Sequence, residues 1–84
     1  MKEVIEPIYS PCCGKIETLF VSQNSYVYEW EKLMLIHTPD NHKVEVRAGV
    51  SGHIVSLEVI EKQSITNDTL LVKVKDDLLI TGSE

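Results

Sequence analysis

The side chains in this 84-residue chain whose types could do chemistry are two cysteines, three histidines and a lysine close to an asparagine. Cys12 and Cys13 are adjacent. A bond between neighbours would close a strained ring and cross-link no distant parts of the chain, so it would not staple a fold. Reduced thiols fit a cytosolic location. A metal site would need His37, His42 or His53 to complete the shell, but no CxxC or HxxxH spacing is present, and packing and turn roles are the expectation. Imidazole is the side chain suited to general-base work near neutral pH, and His42 stands two residues from Asp40. No recognisable motif places a Ser or Cys nucleophile beside it, and a turn tip lacks a pocket that excludes water, so an exposed turn histidine is expected. No catalytic residue and no metal ligand is assigned.

These groups are positioned by the stretch Ile36-His37-Thr38-Pro39-Asp40-Asn41-His42-Lys43-Val44-Glu45-Val46. An apolar strand ends, a Pro-Asp-Asn turn follows, and Val44 and Val46 then alternate with charged residues. That pattern predicts a β-hairpin with Asn41 at its tip. Proline presets φ, while Asp and Asn tolerate the left-handed conformation and hydrogen-bond their own backbone.

Composition bounds the rest. A chain of this length forms one small domain and buries only roughly 60% of the surface it exposes when unfolded. Eight Lys and Arg against 13 Asp and Glu give a formal charge of −5, with no basic stripe of the kind a phosphate backbone requires. Nucleic acid is set aside as a partner. No apolar run approaches the ~18 residues of a membrane span, and the first residues lack the basic-then-apolar layout of a secretion signal. A cytoplasmic protein with no membrane contact is expected.

Glu3 to Tyr9 reads as a first strand, at an edge because Pro7 cannot donate to a ladder. Ser10 to Gly14 turns the chain, and Lys15 to Val21 follows with Ile16, Leu19 and Val21 as its buried set. The parity change between Ile16 and Leu19 predicts a β-bulge. Ser22 to Ser25 is a turn in which Asn24 can take a positive φ. Tyr26-Val27-Tyr28 is a short extended piece, Glu29 to Lys32 an acidic loop containing Trp30, and Leu33 to Ile36 the strand into the hairpin. Tyr26, Tyr28 and Trp30 could present a contact surface. In a chain with only five aromatic residues, core or half-buried packing is the stronger expectation.

The second half repeats the first at an offset of 38 residues: Gly14 meets Gly52, Ile16 meets Ile54, Leu19 meets Leu57, Val27 meets Ile65 and Leu33 meets Leu71. The parity change recurs as well. No helical stripe is present, so the chain is all-β. Two half-domains of about four short strands, each too small to bury a face alone, should pack on one another as two four-stranded sheets or a flattened barrel with pseudo-twofold symmetry. One domain over residues 1–76 is expected, followed by an acidic tail over 77–84 that contains Leu78, Leu79 and Ile80.

Ser10-Pro11-Cys12-Cys13-Gly14-Lys15-Ile16 and Arg47-Ala48-Gly49-Val50-Ser51-Gly52-His53-Ile54, taken with the repeat, resemble the biotinyl/lipoyl attachment domain over about Ile8 to Lys75. The first resembles the family's Ser-Pro-x-x-Gly-x-Val, with Cys12-Cys13 in place of the usual Met-Pro of biotinyl domains. The second resembles Arg-Ala-Pro-Val-x-Gly-x-Val. The resemblance implies a barrel-sandwich hybrid fold, and a hairpin between the halves that presents a lysine carrying biotin or lipoate. Counting back from Arg47 without a gap places Asn41 where that lysine belongs, with Asp40 matching the lipoyl aspartate and His42 on the other flank. Several turn glycines are also replaced. Asn24-Ser25 and Lys62-Gln63 occupy Gly-Asp positions, and Trp30 and Asp68 occupy later glycine positions.

Attachment chemistry needs an amine that attacks an activated acyl group. The nitrogen of an asparagine amide is delocalised into its carbonyl and is not a usable nucleophile. No biotin or lipoate is expected on Asn41. The nearest amine, Lys43, lies on the same strand face but roughly 6.5 to 7 Å down the hairpin. The leading expectation is a non-catalytic biotinyl/lipoyl-like domain that binds another protein. The alternative is a working acyl or carboxyl carrier modified at Lys43, and a third reading is a small hydrolase or metal enzyme using Cys12, Cys13 and the histidines.

Overall fold

The computed structural model describes residues 4–76. The tail at 77–84 and Glu3, the expected first residue of the first strand, lie outside the described residues. Eight strands follow in order: β1 (Ile5–Tyr9), β2 (Gly14–Leu19), β3 (Tyr26–Val27), β4 (Lys32–His37), β5 (Lys43–Arg47), β6 (Gly52–Leu57), β7 (Ser64–Ile65) and β8 (Leu70–Asp76). They form two four-stranded antiparallel sheets, ordered β1-β8-β6-β3 and β5-β4-β2-β7. The fold is all-β, a flattened two-layer sandwich whose sheets do not close into a barrel. No helix among the described residues is long and apolar enough to cross a membrane, which says nothing of strands.

Every strand of β1 to β4 has its counterpart 38 residues later in β5 to β8. The halves are nevertheless not separate layers. Each sheet takes two strands from each repeat, which corrects the picture of two self-contained halves set face to face. The physical reason is that a four-strand unit with one apolar face has no partner for that face, whereas exchanging strands lets each repeat supply edges to the other's centre.

Backbone bonds across the pseudo-twofold are reciprocal. Ile16 N donates to Gln63 O at 3.0 Å, and its counterpart Ile54 N donates to Ser25 O at 2.8 Å. Asp68 N donates to Ser10 O at 3.0 Å, and Trp30 N donates to Ala48 O at 2.8 Å. The predicted bulges are both present: register shifts between Ile16 and Thr18 in the β2–β4 pairing, and between Ile54 and Ser56 in the β6–β8 pairing. The shift lets Ile16 and Leu19 both face the core despite their odd spacing.

Between the sheets lies a single cluster that includes Ile16, Leu33, Met34, Ile36, Ile54, Leu71, Val72 and Val74, each fully buried. Val44, Leu19 and Leu57 pack against its margin. β1 is an edge strand, as Pro7 required.

Candidate functional site

The hairpin that joins the repeats begins where His37 pairs with Lys43, the last rung between β4 and β5. Thr38 N donates to His42 O at 2.8 Å, and Asn41 N donates to Thr38 O at 3.0 Å. The second bond closes the turn Thr38-Pro39-Asp40-Asn41, and Asn41 follows with φ of 68°. A turn plus one left-handed residue is the usual construction of a three-residue hairpin loop, and Asn is among the few non-glycine residues suited to the last position. Asn41 therefore stands at the tip, as the sequence predicted.

Side chains lock this turn. The Thr38 hydroxyl accepts from His42 N at 3.1 Å and lies within reach of both the Asp40 carboxylate and His42 O. It has one proton, and the carboxylate is the stronger acceptor. His42 Nδ1 stands 3.1 Å from the other Asp40 oxygen. His37 Nε2 donates to Asn41 Oδ1 at 2.8 Å, which ties the tip back to the end of β4. The Thr38 hydroxyl first, and His42 second, hold the Asp40 carboxyl below the usual carboxylate range.

A carboxylate with a depressed pKa steadies the turn at pH values above its ordinary titration, and that contribution is lost as pH falls through the lowered value. We expect the Asp40 carboxyl to titrate below a free aspartate when followed by NMR, and Thr38→Ala to raise it. A midpoint unchanged by Thr38→Ala would contradict the bond.

Lys43 lies on β5, below the tip. Its Nζ pairs with Glu17 Oε2 of β2 at 3.2 Å, reaching over β4. Beside the hairpin is an open depression whose lining includes Cys13, Lys15, His37, Thr38 and Ser64. Partial burial, then Cys13, then Asp40 push the Cys12 thiol up, so it stays protonated and weakly nucleophilic at neutral pH. The fold thus brings Cys13 and His37 to one depression and sets Asp40 within electrostatic reach of Cys12. His42 turns to Asp40. His53 lies on the other sheet, with its ring edge-on to Tyr26 at 4.9 Å. Among the described residues no group of three His, Cys, Asp or Glu side chains could hold a metal ion.

The aromatic residues are the correction. Tyr28 and Trp30 are 66% and 67% exposed and Tyr26 is 37% exposed, not packed in the core. The Tyr26 and Tyr28 rings meet edge-on at 5.2 Å. Glu31 N donates to Tyr28 O at 2.9 Å, closing the turn Tyr28-Glu29-Trp30-Glu31 with Trp30 at φ of 73°. A turn with a positive φ at its third residue prefers glycine or asparagine there. Asn24, Lys62 and Asp68 hold the same conformation in three sister turns. Alternation within strands could not reveal Trp30, which lies in a turn, but its repeat partner could: 38 residues on stands the polar Asp68.

No protein-family model matches the chain, and no curated protein matches it.

Proposed function

We propose that this chain is a non-catalytic biotinyl/lipoyl-like domain that has lost its attachment lysine and works in the cytoplasm by binding another protein. The observation that carries the reading is Asn41. It occupies the left-handed tip of the hairpin that joins two structurally equivalent repeats, the place where such a carrier presents its amine. Further support comes from Asn24, Trp30, Lys62 and Asp68. All four adopt a glycine-like positive φ at positions where the resemblance expects glycine or its turn.

The residues present do not fit a covalently attached biotin or lipoate. The Asn41 amide offers no nucleophilic lone pair, and its carbonyl oxygen is engaged by His37. Lys43 is set back in the strand and paired with Glu17. No transfer step is assigned to either.

Asn41→Lys, expressed with a lipoate ligase and separately with a biotin ligase, tests the reading. The variant should lose about 1 kcal/mol, because lysine tolerates positive φ less well than asparagine. It should still fold, and gain one ligase-dependent adduct on residue 41 by mass spectrometry while the parent chain gains none. An adduct on the parent chain that Lys43→Arg abolishes would establish the carrier reading in its place. A folded variant that neither ligase modifies would show that more than the lysine has been lost, such as the flanking residues or the turn shape.

A further inference from the structure

The repeat supplies an internal control for the exposed aromatic turn. The fold builds the same short strand and turn twice, once as Tyr26-Val27-Tyr28-Glu29-Trp30-Glu31 and once as Ser64-Ile65-Thr66-Asn67-Asp68-Thr69. The inward residues, Val27 and Ile65, are buried in both. The reciprocal backbone bonds through Trp30 N and Asp68 N are present in both. The inward pair stays aliphatic, while the outward residues change in character: Ser64, Thr66 and Asp68 suffice in one copy, whereas the other carries Tyr26, Tyr28 and Trp30. The fold itself therefore does not call for these rings. Trp30 is placed against both solvation and backbone preference, with a large apolar side chain in water at a position suited to glycine.

We propose that Tyr28 and Trp30, with the Glu29 carboxylate between them, are the docking surface for an arginine-bearing segment of the partner protein. This identifies the surface and partner chemistry of the protein-binding role proposed above and rests on that reading. Tryptophan and tyrosine faces attract cations, and guanidinium stacks on them while pairing with a carboxylate. Glu29 N is held by Ser51 Oγ at 3.0 Å, while among the described residues nothing pairs with its carboxylate. Arg47 reaches Trp30 O at 2.8 Å but is itself neutralised by Glu45 at 2.6 Å. The chain's −5 charge draws a cationic segment in and disfavours a second copy of the chain as occupant.

Trp30 is the single tryptophan, so its fluorescence reports the surface directly. The probe is a capped peptide of alternating arginine and glycine, titrated beside glutamate–glycine and lysine–glycine peptides of equal length. We expect a saturable fluorescence change with arginine, weaker binding with lysine and none with glutamate. Glu29→Gln should weaken arginine binding about threefold. Trp30→Gly should weaken it tenfold or more by calorimetry, while the thermal midpoint of the free protein rises by a few degrees as the strained turn relaxes. No saturable response up to about 1 mM peptide, an equal response to glutamate, or indifference to Glu29→Gln would overturn the proposal. So would a dimer that buries Trp30 in sedimentation analysis. The two readings fail apart: an adduct on Lys43 would end the armless reading and leave this surface standing, whereas a silent Trp30 would end only the surface.

Discussion

Gly52→Ala should cost at least about 3 kcal/mol and leave much of the protein unfolded at room temperature. Gly52 is buried in β6, between Val27 of β3 on one side and Asp76 of β8 on the other. A methyl group placed there would lie 1.9 Å from Lys75 O and 2.8 Å from Lys75 C. Both are backbone atoms, so no side chain can rotate away, and relief requires β6 and β8 to part. A domain of this size has roughly 4 to 12 kcal/mol of stability in all, so the loss is a large share of it. Its repeat partner Gly14 is hardly freer. There the added carbon would lie 2.4 Å from His37 O, at a φ of 154°. Gly49 is the control, since nothing lies within 4 Å of its added carbon, and Gly49→Ala should change stability by no more than about 0.5 kcal/mol. Urea unfolding followed by circular dichroism measures all three. A Gly52→Ala cost below about 1 kcal/mol would contradict the close approach of β6 and β8.

Ile16→Ala and Ile54→Ala should each cost about 3 kcal/mol, within the 2 to 5 kcal/mol range for emptying a packed aliphatic site. Both isoleucines are fully exposed to the core and to no solvent, and each is the last regularly paired residue before its bulge. Truncation leaves a cavity that the bulge cannot collapse into, because the backbone on either side is pinned. Ile16 O accepts from Lys62 N at 2.7 Å, and Ile54 O accepts from Asn24 N at 2.9 Å. The two costs should agree within about 1 kcal/mol, because the repeats give them equivalent surroundings. Denaturant unfolding of the two variants checks this. A full loss at one site and almost none at the other would show that the repeats are alike in path but not in energetics.

Much of this architecture is locally written in the residues. Pro39-Asp40-Asn41 specifies its own reversal, and the odd spacing of Ile16 with Leu19, repeated as Ile54 with Leu57, announces two bulges. Strand exchange between repeats was not legible, because the pairing of β1 with β8 joins residues near the two ends of the described chain and rests on no local signal. Within the site, the tip residue was legible and its surroundings were not. The His37 bond to Asn41 and the Lys43 pair with Glu17 depend on which strands become neighbours. The exposure of Trp30 is hidden in the sequence for another reason. A scarce aromatic is usually packed, but burial follows the strand face, and Trp30 sits on a turn whose backbone is committed to Ala48. Comparison of the repeats position by position would have separated residues the fold uses twice from those it uses once.

The central claim is that this domain carries no arm. Its most direct test is the intact mass of the protein purified from its own cells, with peptide mapping across Leu35 to Arg47. The account predicts an unmodified chain, with Asn41 and Lys43 both bare. A biotinyl or lipoyl increment on Lys43 would contradict it, and would make the protein a working carrier whose arm leaves the strand instead of the tip.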